Sequence, residues 1–225
     1  MPVFRVNGQL CYFAHVPKCG GSAVELYLQE RFGELAFRDE HHLMSRPSQR
    51  WTKGSPQHIA VDALDRLLPP SYFTASFALV RHPAKRLLSV FLYQRDIERT
   101  LQANADIGEF LADLLRRWRR NPFYLDNHPR PMADLVPKTA TVFRLEDGTE
   151  QVVTWLDRIA KNEDGPRTVP RINSYRQQLY HRRLEPGPQT KLTPENHAQI
   201  TELYASDFER FGYTVANGTT AGTGR

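Results

Sequence analysis

Cysteine is scarce in this sequence, and long hydrophobic runs are missing. The 225 residues include two cysteines, Cys11 and Cys19, which are too few for a disulfide framework and lack the spacing of a zinc site. We therefore expect a protein of a reducing compartment, the cytoplasm, without a bound metal. No run of about 18 apolar residues occurs, and the N-terminal residues lack the basic and apolar regions of a signal peptide, so neither a membrane-spanning helix nor secretion is expected.

The charge balance favours a small anionic ligand over nucleic acid. The chain has 30 Lys+Arg against 25 Asp+Glu, a formal charge of +5, and this modest excess does not indicate nucleic acid as a partner. Hydrophobic residues make up 40% of the chain, which is enough for a proper core. The length suits a single domain, which we place at residues 1–213, and the Gly- and Thr-rich segment 214–225 is predicted to be a disordered tail.

Short β-forming runs alternate with segments of helical periodicity. Strands are predicted at 10–16, 72–80 and 139–145. Helices are predicted at 22–31, 58–68, 83–95, 107–119, 147–160 and 193–212. The irregular segments between them are 38–57, 121–137 and 162–192. The alternation predicts an α/β, P-loop-like three-layer fold with a central, mainly parallel sheet flanked by helices, whose ligands bind at the carboxyl ends of the strands.

A loop suited to a phosphate group follows the first predicted strand. Its sequence is HVPKCGGSA, residues 15–23, in which two glycines let the backbone turn tightly and bring amide N–H groups near a ligand. The N-terminus of the following helix adds partial positive charge. Lys18 adds a full charge and Ser22 a hydroxyl. Because the lysine precedes the glycines, the G-x-x-x-x-G-K-[ST] pattern of ATPases and kinases is absent. The alternative is a tight turn with an incidental lysine.

A second segment, FALVRHPAKRLLSVFLYQRD at 77–96, offers another phosphate site. Arg81 leaves the end of the second predicted strand, and Ser89 lies about two helical turns further on. Arginine can form bidentate hydrogen bonds to a phosphate, and the serine hydroxyl can add one more. Arg81 alone could equally form a surface salt bridge, but its combination with the first loop favours a ligand with two phosphate groups.

Together the two segments resemble the nucleotide-binding signatures of sulfotransferases that use 3′-phosphoadenosine 5′-phosphosulfate. The loop is similar to the H-x-P-K-T-G-G-[ST] sequence of carbohydrate sulfotransferases and their bacterial relatives, and the second segment to R-x-P-x-x-R-x-x-S. Weaker likenesses are FRLED at 143–147, VPRINSY at 169–175, LTPE at 192–195 and YASDFERFGY at 204–213. The resemblance therefore extends to about residue 213.

This resemblance implies a soluble, bacterial-type enzyme with the phosphosulfate nucleotide as co-substrate and 3′-phosphoadenosine 5′-phosphate as product. It places the 3′-phosphate at Arg81 and Ser89 and the 5′-phosphosulfate at the first loop. The loop residues concerned are Pro17, Lys18, Cys19, Gly20, Gly21, Ser22 and Ala23, with Lys18 as the catalytic cation. The chain departs from the family at Cys19, where threonine is usual, so one hydroxyl contact is lost.

Sulfuryl transfer to an alcohol needs a base for the acceptor proton, and histidine has a suitable ordinary pKa. The resemblance points to His58, between the first irregular segment and the second strand. His41 and His42 are the second choice for the base and His128 the third; these three and Arg130 are otherwise assigned to acceptor binding. The two irregular segments that carry these residues are predicted to form the acceptor pocket.

Two other functions remain open at this point. One is a nucleotide-dependent kinase or phosphotransferase, which the misplaced lysine and the lack of a recognisable magnesium-binding acid disfavour. The other is a catalytically inactive module that binds a nucleotide or another anion. The acceptor carries a hydroxyl, and a carbohydrate or a small metabolite fits equally well. The oligomeric state is not indicated by the sequence.

Overall fold

The computed structural model describes residues 2–215, which form two compact units. One unit comprises the chain up to Val80 together with Leu125–Asn173, and the other comprises Arg81–Tyr124 and the residues from Ser174 onward. The single domain expected over residues 1–213 stays a prediction. Residues 216–225 of the expected tail lie outside the described part of the chain. Within residues 2–215, no helix is long and apolar enough to cross a bilayer.

The strands that the structure describes form one mixed sheet of the first unit. They are β1 Val3–Val6, β2 Gln9–Ala14, β3 Ala75–Val80 and β4 Thr141–Arg144, adjacent in that order. Strands β2, β3 and β4 run parallel, whereas β1 is antiparallel to β2. The mainly parallel sheet of an α/β fold is therefore confirmed, and each predicted strand is present but shorter than expected.

Strand β1 is missing from the sequence-based prediction. It pairs with β2 through a turn at Asn7 and Gly8, whose φ angles are 51° and 78°. A two-residue hairpin turn requires such left-handed conformations, and Asn-Gly is the pair that favours it most. The side-chain amide of Asn7 also donates to the carbonyl of Ala160 over 2.8 Å. The Asn-Gly pair was thus the available signal for the additional strand.

Eight α-helices lie along the described residues. They are α1 Gly21–Phe32, α2 Val61–Leu67, α3 Pro83–Leu92, α4 Ile107–Arg120, α5 Glu150–Ala160, α6 Tyr175–Arg182, α7 Pro194–Leu203 and α8 Ala205–Phe211. Helices α1, α2 and α5 belong to the first unit. Helix α1 contacts β1, and Trp155 of α5 packs on Phe77 of β3. The prediction of a sheet flanked by helices is confirmed.

Three helix predictions need correction. The segment 162–192, expected to be mostly loop, contains α6, which Ser174 and Gln177 open with reciprocal side-chain-to-backbone hydrogen bonds. The single helix expected over 193–212 is two helices, because Tyr204 (φ −118°, ψ 29°) leaves the helical region. The helix expected from residue 58 begins at Val61, because Pro56–His58 forms a separate 3₁₀ turn.

Aromatic rings fill the core of the first unit. Phe13 of β2 stacks on Phe77 of β3 with 4.8 Å between ring centroids, and Trp155 lies 5.1 Å from Phe77. Such pairs contribute about 0.5–1.5 kcal/mol each beyond the area they bury. Tyr27 and Leu28 of α1 are fully buried as well. The carboxyl end of β2 and the start of α1 are therefore fixed to one rigid core.

A buried polar network organises the second unit. After α3 the helix continues as a π-helical turn, Tyr93–Ile97. Within it Arg95 donates to Asp96 over 2.7 Å, and Tyr175 at the start of α6 donates to the same carboxylate over 2.6 Å. Arg95 also donates to Thr190 over 2.9 Å. These hydrogen bonds connect Tyr175, at the start of α6, and Thr190, beyond its end, to the π-helical turn after α3. The segment 162–192, which contains both residues, was expected to be mostly irregular.

Candidate active site

The predicted phosphate loop leaves β2 and ends where α1 begins. Gly20 is the N-terminal flanking residue of α1, with φ 82°, and no side chain caps the helix. Lys18 has φ 66°, a left-handed conformation that costs a residue other than glycine roughly 1–2 kcal/mol. Backbone strain of this kind clusters at ligand sites. The order of strand, glycine loop and helix N-terminus that a phosphate site needs is therefore present.

The imidazole of His15 packs against this loop. A Cβ atom built on Gly21 would overlap with the ring of His15, so a glycine is required for their close approach. The ring is held from the other side by Glu25, whose Oε1 lies 2.5 Å from Nδ1 of His15. Gly21 and Glu25 are four residues apart and share one face of α1. The helix that begins at the loop therefore also supplies the carboxylate that orients His15.

The charges of this pair follow from its burial. Burial lowers the pKa of His15, although Glu25 opposes the shift. Burial would raise the pKa of Glu25, but His15 and Arg38 hold it below its ordinary value. The guanidinium Nε of Arg38 lies 3.3 Å from Oε2 of Glu25. We infer a Glu25 carboxylate that accepts the N–H of a neutral His15.

Cys19 points into the interior. Its side chain is buried, and Sγ lies 3.9 Å from the sulfur of Met132. Burial disfavours the thiolate that a reactive cysteine needs. The place of Cys19 in donor binding stays a prediction, in which its backbone rather than its thiol makes the contact.

His58, the predicted base, lies beside His15. The two rings meet edge to face, with 5.0 Å between centroids and 88° between planes. Since His15 packs on Gly21, only one ring separates His58 from the phosphate loop. The side chain of His58 is 13% exposed, so part of the imidazole remains accessible to a substrate.

Asp126 and Ser55 hold one edge of the His58 ring. Nδ1 of His58 lies 2.9 Å from Oδ2 of Asp126 and 3.1 Å from Oγ of Ser55. Ser55 donates its backbone N–H and its hydroxyl to the two oxygens of Asp126, over 2.6 Å each. Burial would raise the pKa of Asp126, but the hydrogen bonds from His58 and Ser55 hold it well below its ordinary range. Asp126 is therefore an anion.

Sequence analysis missed Asp126 and Ser55 as functional candidates. Asp126 is 68 residues from His58 in the chain, and only the fold brings them together. The signal nearest to it was His128, two residues further on, which was named for acceptor binding. Ser55 was visible just before His58, but a lone hydroxyl there does not indicate a carboxylate partner.

His128 is also brought to His58, with 5.2 Å between ring centroids. One ligand atom each from His58, Asp126 and His128 lies within 4.8 Å of the others, which is close enough to hold a metal ion. The carboxylate of Asp126, however, already accepts three hydrogen bonds. These hydrogen bonds account for the place of Asp126 beside His58, and the absence of a metal requirement stays a prediction.

The other predicted acceptor residues differ in burial and in surroundings. His42 is 1% exposed, and its Nδ1 lies 3.6 Å from Oδ2 of Asp39. His41 is exposed. Arg130 faces two carboxylates, with its Nε 3.2 Å from Asp134 and its Nη2 3.8 Å from Asp62. Acceptor binding by these residues stays a prediction.

The second predicted phosphate motif begins the second unit. Arg81 is partly exposed directly after β3. Pro83 opens α3, and the side chain of His82 accepts the N–H of Ala84 over 3.3 Å. Ser89 of α3 is partly exposed, whereas Arg86, in the same motif, is 1% exposed.

Arg86 acts inside the second unit. Burial raises the pKa of Tyr204, and the charge of Arg86 opposes the shift, so the guanidinium lies near this buried phenol. Arg86 therefore has an interior role, and ligand binding by Arg81 and Ser89 stays a prediction.

The chain was compared with family models, solved structures and curated proteins. A family model described as the sulfotransferase family matches residues 7–214. The crystal structure of a sulfotransferase from Alicyclobacillus acidocaldarius aligns with 92% of this chain and 94% of that chain, at 15% sequence identity and a TM-score of 0.48. A comparison with curated proteins gives no match.

Proposed function

This chain belongs to the sulfotransferase family, and from that membership we propose that it transfers a sulfuryl group from 3′-phosphoadenosine 5′-phosphosulfate to an acceptor hydroxyl, with His58 as the base. The observation that carries the proposal is the position of His58. Its ring contacts His15 at 5.0 Å, and His15 packs on Gly21 of the phosphate loop. The proposed base and the proposed donor loop thus lie in one small region of the first unit.

In the proposed reaction the acceptor oxygen attacks the sulfur in line with the leaving group. A new S–O bond forms, and the bond from sulfur to the bridging phosphate oxygen breaks. The electron pair of that bond leaves with 3′-phosphoadenosine 5′-phosphate, and the proton of the acceptor hydroxyl passes to His58. Proton transfer to a positioned base typically contributes about 10²–10⁴-fold in rate.

Lys18 is proposed to stabilise the charge that develops on the sulfate and the bridging oxygen. It has a left-handed backbone, φ 66°, and lies in the loop two residues before Gly20, the residue that precedes α1. A preorganised group of this kind is typically worth about 10²–10³ in rate. Because a cation and a helix N-terminus serve the transferred group, no step of the proposal needs a metal ion.

Donor binding is proposed to use both sequence motifs. The loop from Pro17 to Ala23 takes the 5′-phosphosulfate, and Arg81 with Ser89 takes the 3′-phosphate. The support for Arg81 and Ser89 is the resemblance of their motif together with their partial exposure. Arginine suits this task because its fork matches two phosphate oxygens at once.

An acceptor class and a cellular compartment are also proposed. A carbohydrate hydroxyl is the first acceptor class to screen, with His41, His42, His128 and Arg130 as its proposed contacts. A cytoplasmic location fits Cys11 and Cys19, which are buried and form no disulfide.

Transfer of radiolabelled sulfate from the nucleotide donor to a panel of sugars, small alcohols and phenols tests the proposal. We expect label in at least one acceptor class and none with His58→Ala. Transfer of phosphate from ATP in the presence of magnesium, with no sulfate transfer, would favour the kinase alternative. A fully active His58→Ala enzyme would contradict the assignment of the base.

A further inference from the structure

We propose that Asp126 is a positioning residue, which keeps the proton of neutral His58 on Nδ1 and so leaves Nε2 free to accept the proton of the acceptor hydroxyl. The idea rests on the proposed function, because it assigns a partner to the proposed base. Asp126 itself contacts neither donor nor acceptor in this scheme. Its effect on the reaction passes through the imidazole.

The hydrogen bonds around Asp126 fix the direction of the bond to His58. The Asp126 side chain is 8% exposed, and its carboxylate stays ionised because His58 and Ser55 hydrogen-bond to it, which lowers its pKa despite burial. An ionised carboxylate only accepts hydrogen bonds. Nδ1 of His58, 2.9 Å away, must therefore carry the proton. In a neutral imidazole the other nitrogen, Nε2, is then the acceptor.

Ser55 does not compete for this proton. Its hydroxyl lies 2.6 Å from Oδ2 of Asp126 and 3.1 Å from Nδ1 of His58. The shorter contact takes the hydroxyl hydrogen, since the carboxylate is the stronger acceptor. The backbone N–H of Ser55 holds the second carboxylate oxygen over 2.6 Å. Ser55 thus orients Asp126, as Asp126 orients His58.

The backbone that carries Asp126 is strained. Leu125, Asp126 and Asn127 are three consecutive left-handed residues, with φ 50°, 54° and 62°. Each costs a residue other than glycine about 1–2 kcal/mol, although Asn and Asp tolerate this region best. A strained backbone conformation persists only where the surrounding structure enforces it, and such conformations cluster at functional sites.

The same strained turn forms two hydrogen bonds with His58. Asp126 accepts from its ring, and the side-chain amide of Asn127 donates to the backbone carbonyl of His58 over 2.9 Å. One contact sets the ring and the other sets the backbone that carries it. A turn that served only to reverse the chain would not need both, so the geometry favours positioning of His58 as the purpose of the strain.

Asp126 also faces the charge that His58 gains during the reaction. The rings of His15 and His128 flank His58, at 5.0 Å and 5.2 Å between centroids. Glu25 contributes a second anion, since it interacts electrostatically with His58. Asp126 is the anion in direct hydrogen-bond contact. In catalytic triads of other enzymes, replacing the aspartate by asparagine lowers kcat about 10⁴-fold because the wrong tautomer is favoured.

The tautomer can be observed without any acceptor. In protein labelled with ¹⁵N-histidine, two-dimensional NMR at alkaline pH distinguishes a protonated Nδ1 from a protonated Nε2. We expect His58 of the wild type as the Nδ1–H tautomer, and a shift toward Nε2–H in Asp126→Asn. The matched control is Asp164→Asn, an exposed carboxylate of the same unit, which should leave the His58 signals unchanged.

Kinetics supply the second readout. Once an acceptor is found, Asp126→Asn should lower kcat about 10²–10⁴-fold and change the KM of the donor less than about threefold. An Nε2–H tautomer in the wild type, or an unchanged tautomer and kcat in Asp126→Asn, would overturn the positioning role. If Asp126→Asn does not fold, the tautomer of His58 in the wild-type spectrum alone tests the positioning role. Activity in His58→Ala would instead reject the proposed base, whatever tautomer the spectrum shows.

Discussion

The imidazole of His15 occupies the space that a side chain at Gly21 would need. The first turn of α1 and the candidate base are therefore linked through one ring, because His15 also contacts His58 at 5.0 Å. Any residue larger than glycine at position 21 must displace either the phosphate loop or this ring.

Gly21→Ala should therefore destabilise the protein and disturb the site. Overpacking of this kind typically costs about 1–3 kcal/mol, which thermal unfolding would detect as a lower Tm. The double variant His15→Ala/Gly21→Ala removes the clash and should recover part of the loss relative to the sum of the single variants. Strictly additive effects would show that the two residues do not press on each other.

Lys18→Met should lower the rate of sulfuryl transfer about 10²–10³-fold, because it removes the charge that is proposed to stabilise the leaving group. Lys161→Met is a matched control, since Lys161 is an exposed lysine with a similar left-handed backbone, φ 57°. Initial rates with saturating donor measure both variants. Equal rates in Lys18→Met and wild type would remove Lys18 from the reaction.

Asp157 should make stability depend on pH. Hydrogen bonds from Arg167, and then from Arg31, lower the pKa of Asp157 to about 2. A carboxyl with a depressed folded pKa contributes stability above its unfolded pKa of about 3.9 and loses it as pH falls toward its folded value.

Asp157→Asn should therefore lower Tm at pH 6 and have a smaller effect at pH 2.5. Thermal unfolding at both pH values measures the difference. The comparison variant is Asp164→Asn, which changes an exposed carboxylate of the same unit. A difference between Asp157→Asn and wild type that stays constant from pH 6 to pH 2.5 would mean that the ion pairs do not stabilise the fold.

Metal removal should leave activity unchanged, although His58, Asp126 and His128 lie close enough to hold an ion. We expect enzyme dialysed against a chelator to keep its rate of sulfuryl transfer, and elemental analysis to find less than stoichiometric metal. If chelation abolishes activity and added zinc or manganese restores it, these three residues bind a catalytic metal ion, and the proposed proton transfer by His58 is contradicted.

The sequence predicted what depends on local pattern. Short-range signatures marked the strand before His15, the glycines after Lys18 and the arginine directly after β3, and each has the expected position relative to its strand or helix. Strand β1 had such a signature too, in Asn7-Gly8, which was overlooked. Asp126 had none, because its partner His58 is 68 residues away in the chain. Contacts of this kind are decided by tertiary packing.

The most direct test of the account is calorimetry with 3′-phosphoadenosine 5′-phosphate, the product of the proposed donor. It needs no acceptor, and adenosine 5′-phosphate, which lacks the 3′-phosphate, is the matched ligand. We predict one binding site on the wild type, weaker binding of the nucleotide without the 3′-phosphate, reduced affinity in Arg81→Ala and nearly unchanged affinity in His58→Ala. Absence of binding at millimolar nucleotide would contradict the assignment of the donor and of the two phosphate motifs.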